Sequence, residues 1–95
     1  MSRQDHIWLT LGDFEHGSEP FEKASFVACE LAEMIKAATG SMVDDVYYIR
    51  REPDGEERVV LLLSAAPRRE VNVTCDSLWA IAKDVMRAVA EIYEG

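Results

Sequence analysis

The chain is poor in the residues that mark special environments. It has only two cysteines, Cys29 and Cys75, without metal-type spacing, so neither a disulfide framework nor a zinc module fits, and reduced thiols in a cytoplasmic protein are the expectation. No apolar run approaches the ~20 residues of a membrane span. The opening stretch MSRQDHIWLTLGDFEH lacks the long apolar core of a secretory signal, so a cytoplasmic location and no membrane role are expected. Positive charge is scarce: 10 Lys and Arg against 18 Asp and Glu give a net charge of −8. That balance repels phosphate backbones and attracts basic proteins, which argues against direct nucleic-acid binding. With three prolines and five glycines there is no linker or low-complexity tract, and residues 1–95 read as a single domain.

Catalytic signatures are missing as well. There is no GxGxxG, no Walker loop, no HExxH and no GxSxG elbow. Asp13, Glu15, His16 and Glu19 share one loop, but without the alternate-position ligands of a calcium loop; a solvated acidic loop is expected, with no metal and no cofactor. A cysteine nucleophile is disfavoured, because Glu30 and Glu33 beside Cys29, and Asp76 beside Cys75, oppose the thiolate.

What the sequence does contain is a hairpin, Val46 to Leu63, VYYIRREPDGEERVVLLL, whose arms flank the turn residues Pro53, Asp54 and Gly55. A three-residue loop sets Arg51 opposite Glu57, Ile49 opposite Val59 and Tyr48 opposite Val60. Tyr47, Ile49, Val59 and Leu61 then share one face, and Val46, Tyr48, Val60 and Leu62 the other. A first strand is predicted over His6 to Leu11, with a right-handed crossover to the second if the two run parallel, and a short fourth over Arg69 to Cys75. Helices are predicted from Ser18 or Glu19 to Thr39, with Gly40 ending the first, and from Ser77 to about Tyr93, capped by Asp76 or Thr74. The expected fold is α+β, in the order β-α-β-β-(β)-α: a mainly antiparallel sheet with a central hairpin and two helices on one face.

The helices carry more apolar surface than one sheet contact uses. On the first, Phe21, Ala24, Val27, Ala28, Leu31, Met34, Ile35 and Ala38 form the inward arc, while Phe26 falls among acids on the far side, beneath a folded-over loop or as an aromatic contact. On the last, Leu78, Ile81, Ala82, Val85, Val89 and Ile92 form a core stripe, and Trp79, Met86 and Tyr93 recur every seven residues beside it. That shoulder packs either on the first helix or on another chain. If the helices cover the Ile49 and Leu61 face, Val46, Tyr48, Val60 and Leu62 stay open and call for a second copy, hence a homodimer. These patterns point to a small acidic cytosolic protein-interaction module, such as an adaptor, an inhibitor or an antitoxin- or immunity-like partner, that binds and does not catalyse. Its expected partner is another protein, with a basic one favoured by the charge. The alternatives are a self-assembling subunit, or a small-ligand binder or enzyme with a pocket between sheet and helices using Tyr47 or Tyr48 with His6 or His16.

Overall fold

A computed structural model describes residues 7–40 and 42–94; His6 lies outside the described residues. Four strands, β1 (Ile7–Leu9), β2 (Val43–Glu52), β3 (Glu57–Leu63) and β4 (Arg69–Asn72), form one sheet in sequence order, antiparallel throughout. Between β1 and β2 runs a helix whose parts are α1 (Glu19–Ser25), a π-helical turn (Phe26–Leu31) and α2 (Ala32–Thr39); α3 (Leu78–Glu94) follows β4. Both helices pack on one face, because Val27, Leu31, Ile35, Ile81, Val85 and Val89 join Val46, Tyr48, Val59 and Leu61 in a single buried cluster. The result is a two-layer slab whose shortest extent is 20 Å.

The hairpin register is one residue away from the sequence expectation. Arg50 pairs with Glu57, Tyr48 with Val59, Tyr47 with Val60 and Val46 with Leu61. The cause is a loop of four residues, 52–55, instead of three: the Gly55 amide donates to the Arg51 carbonyl at 2.7 Å, and the Arg51 amide to the Glu56 carbonyl at 2.7 Å. Arg51 holds the longer loop by binding both the Asp54 and Glu56 carboxylates. Gly55, at φ 78°, supplies the left-handed residue this needs. A one-residue slip turns every side chain of β2 over. Val46 and Tyr48, expected on the open face, are therefore core, each 1% exposed, while Tyr47 and Ile49 take their place outside. Val60 and Leu62 remain on the open face as expected.

A bulge between Val43 and Asp45 restores the inward direction for Val43, 5% exposed, and leaves both Asp44 and Asp45 in solvent. Without that extra residue, strict alternation from Val46 would turn Asp44 into the core.

The first strand is antiparallel to β2, not parallel, so no crossover is used. It stops at Leu9, and residues 10–18 carry the chain back toward the hairpin end before the helix descends. Asp13 closes that segment by accepting from the Thr10 amide at 2.8 Å. Ser18 then caps α1 by accepting from the Phe21 amide at 3.3 Å, with Pro20 in the first turn and Gly40 ending α2 at φ 64°. The π-helical turn shifts the phase of the stripe. Ala24, Val27, Leu31, Ile35 and Thr39 are buried, while Met34 and Ala38, expected to face inward, are exposed. Ser77, not Asp76 or Thr74, caps α3, accepting from the Ala80 amide at 3.2 Å. Leu78, expected in the stripe, is 41% exposed at the helix start.

The register makes a direct prediction. Val46→Asp should cost about 4 kcal/mol or more, because it puts an unpaired carboxylate among the helices. Ile49→Asp, half-buried on the open face, should cost less than about 2 kcal/mol. Urea denaturation of the two variants checks this, and the reverse order would restore the three-residue loop.

Candidate interaction site

The polar centre of the molecule is Glu57, at the start of β3, where the hairpin end meets both helices. Only 3% exposed, it accepts from Lys23 Nζ at 2.8 Å and from the Tyr48 hydroxyl at 2.5 Å on one oxygen, and from the Cys75 amide at 2.9 Å on the other. Its own backbone amide donates to Thr74 Oγ1 at 2.9 Å, and its carbonyl accepts from the Val73 amide at 2.9 Å. Burial pushes the Glu57 carboxyl up, but the hydrogen bonds from Lys23, Tyr48 and Cys75 outweigh it and hold the group below the usual carboxylate range. Burial first, then the bond to Glu57 and its charge, drive the Tyr48 hydroxyl well above its ordinary value. The cluster ties α1, the hairpin and the β4–α3 turn together.

Beside it, Asp76 and Asp84 face each other across the first turns of α3. Burial, then the hydrogen bond with Asp84 and its charge, raise Asp76 to about 6, with Glu57 adding to the effect and Lys23 opposing it. Asp76 Oδ2 is buried and has no hydrogen-bond partner among the described residues. Cys75, just before it, is held at φ 66°, a left-handed conformation uncommon outside glycine.

The open face of the sheet is not bare. Trp8 from β1 lies between two guanidinium groups, with Arg51 5.3 Å and Arg58 5.1 Å from its ring centre. Arg58 is anchored in turn on Glu70 and Glu56, at 2.6 Å each. These long side chains leave Val60 1% exposed and Leu62 half-buried although no second layer covers them. The open patch of Val46, Tyr48, Val60 and Leu62 from which a homodimer was expected therefore does not form: two of the four face the helices, and the molecule shields the others itself.

Exposed apolar surface gathers instead along α3. Trp79 is 78% exposed and Tyr93 is 52% exposed, with Met86 between them packed partly against the core. Trp79 is thus not a core residue. At the C-terminal end of the stripe lies an apolar hollow of about 460 Å³, walled by Met42, Leu63, Ala66, Val89, Ile92 and Tyr93. Phe26, the other aromatic candidate, is half-buried and packs on the core. His16 stacks on Phe21, ring centres 4.5 Å apart.

Of the eight sequence candidates, then, Trp79, Met86 and Tyr93 share one surface, Val60 and Leu62 share another, Phe26 packs on the core, and Val46 and Tyr48 are buried within it. Sequence reasoning missed Glu57, Lys23, Trp8 and the hollow. Lys23 carried a signal, because it stands four residues before Val27 and eight before Leu31, on the inward face. Comparison with family models, with curated proteins and with solved structures finds no match to this chain.

Two stability predictions follow from the buried groups. Glu57→Gln removes the counter-charge of a buried lysine and should cost about 3–5 kcal/mol, whereas Tyr48→Phe, which deletes one hydrogen bond, should cost about 1–2 kcal/mol; urea midpoints rank them. For Asp76 the sign is reversed. Its folded-state value is raised, so the protonated form is the one the fold favours, and its contribution is lost as pH rises from 3.8 toward about 6. Asp76→Asn should accordingly stabilise the protein by about 1–2 kcal/mol at pH 7–8, with the gain vanishing near pH 4. Thermal melts of both proteins across that range check it.

Proposed function

We propose that this chain is a small acidic interaction module that works by binding another protein and not by catalysis, in the manner of an adaptor, an inhibitor or an antitoxin- or immunity-like partner. The observation that carries the reading is Trp79, 78% exposed on the same side of α3 as the half-exposed Tyr93, which itself borders an apolar hollow. Tryptophan and tyrosine in the open are expensive in water and are enriched where interfaces concentrate their binding energy. The net charge of −8 favours a basic protein and disfavours nucleic acid. Two exposed free cysteines suit the reducing cytoplasm, where we place the protein. No helix among the described residues is long and apolar enough to cross a membrane.

The test uses Trp79→Ala and Tyr93→Ala. Because Trp79 is so exposed, its truncation should leave stability within about 0.5 kcal/mol of the parent. Capture of a stoichiometric partner from host extract should nonetheless fall by an order of magnitude or more, as for a hot spot worth about 2 kcal/mol. Undiminished capture by both variants would reject this surface.

A second reading rests on the hollow itself. At about 460 Å³ and apolar, it has the size of a small-ligand site. A fluorescent apolar probe that binds one-to-one and is expelled by Ala66→Trp would favour it over the first.

A further inference from the structure

The stripe on α3 has a symmetry that selects an occupant. Trp79 and Tyr93 lie seven residues before and after Met86, and Ala82 and Ala90 lie four residues before and after it. At 1.5 Å per residue, both aromatics stand roughly 10 Å from Met86 along the axis, on one side of the helix. Two such helices set antiparallel, with a two-fold axis at Met86, bring each Trp79 beside Tyr93 of the other copy and over the hollow that Tyr93 borders. The alanines flank the crossing point at Met86, where small side chains leave room for the facing helix. One chain thus carries both the projecting indole and the apolar recess, at matching distances from one centre.

We infer that the occupant of this site is a second copy of the same chain, joined through an antiparallel α3 pair centred on Met86. The inference rests on the reading of the α3 stripe as an interaction surface and takes a second copy, in place of a basic foreign protein, as what covers it. Trp79, at 78%, Tyr93, at 52%, and Met42, at 44%, are the exposed groups that this pairing covers. With aromatic side chains offering about 150–250 Å² each, they and the alanines give roughly 400–500 Å² per copy. Two copies together bury about 900 Å², below the standard interface and within the range of weak, reversible association. Two chains of charge −8 also repel one another. The dimer should therefore tighten as salt screens that repulsion, the opposite of what a basic foreign partner would do. The pairing is isologous and closed, so it stops at two copies.

Sedimentation equilibrium of the full chain from 5 to 500 µM, in 0.1 M and 1 M NaCl, tests the association. A monomer–dimer equilibrium at tens to hundreds of micromolar, at least threefold tighter in high salt and weakened tenfold or more by Trp79→Ala, is expected. The register is read by cross-linking in a Cys29→Ser/Cys75→Ser background. Trp79→Cys and Tyr93→Cys proteins should form a mixed disulfide with each other in excess of either self-disulfide. Both positions are exposed, so the result does not depend on altering the partly buried Met86. A chain that stays monomeric at 500 µM in 1 M salt overturns the second copy as occupant. If Trp79→Ala still abolishes capture of a foreign protein, that failure leaves the interaction surface standing. A dimer indifferent to Trp79→Ala overturns the α3 pairing, and self-disulfides in excess of the mixed one overturn the antiparallel register.

Discussion

The fold turns on a buried carboxylate. Glu57 draws a lysine from α1, a tyrosine hydroxyl from β2 and a backbone amide from the β4–α3 turn onto its two oxygens, with Lys23 6% exposed and Glu57 3%. A charge taken this far from water is tolerated only when its partners are complete. Completeness requires that the helix, the hairpin and the turn all arrive at one point. The ion pair adds little stability over an apolar core of the same shape, but it discriminates sharply between arrangements. A hairpin slipped by one residue would turn Tyr48 to the solvent face and take its hydroxyl away from Glu57.

That discrimination explains how so small a chain holds a two-layer fold with one sheet face uncovered. The open face cannot rely on a second helical layer, so it uses long amphipathic side chains. Trp8, braced by Arg51 and Arg58, lies over the sheet, and Arg58 is braced in turn by Glu56 and Glu70. The same arginine that flanks the indole, Arg51, also closes the hairpin loop through Asp54 and Glu56. Loop length, register and cover of the open face are therefore coupled, and a change in the loop would be felt on both sides of the sheet.

Much of this architecture is legible in the residues, and its errors have one source. The strand and helix order, the Ser18 start and Gly40 end of the first helix, and the surplus apolar arc of α3 follow from periodicity and capping chemistry, which act locally. The hairpin register does not. Pro53, Asp54 and Gly55 specify a turn but do not distinguish three loop residues from four; the choice is made by side-chain bonds from Arg51 that no spacing rule contains. One residue of loop then sends Val46 and Tyr48 into the core and carries the expected open patch away with them. The π-helical turn acts similarly on the first helix, moving Met34 from the inward arc into solvent. For the candidate site, the seven-residue recurrence of Trp79, Met86 and Tyr93 was visible in sequence. The hollow beside Tyr93 was not, because it is made by the ends of four elements, α2, β2, β3 and α3, that meet only in the fold.

The division of labour between the two ends of α3 follows from the same physics. At its N-terminal end the helix is tied down by polar contacts, the Cys75 amide on Glu57 and the Ser77 cap. At its C-terminal end it rests mainly on apolar surface, with an exposed ion pair from Arg69 to Glu91, and leaves a recess where Ile92 and Tyr93 fail to fill the space above Leu63 and Met42. A rigid anchor at one end fixes where Trp79 projects, while an unfilled recess at the other can still gain contacts by receiving a side chain. A helix rigid throughout and packed throughout would be more stable and would have nothing left to bind with. The Asp76–Asp84 repulsion at neutral pH and the empty recess are both departures from the most stable arrangement, and both lie on the one helix whose outer stripe stays in water.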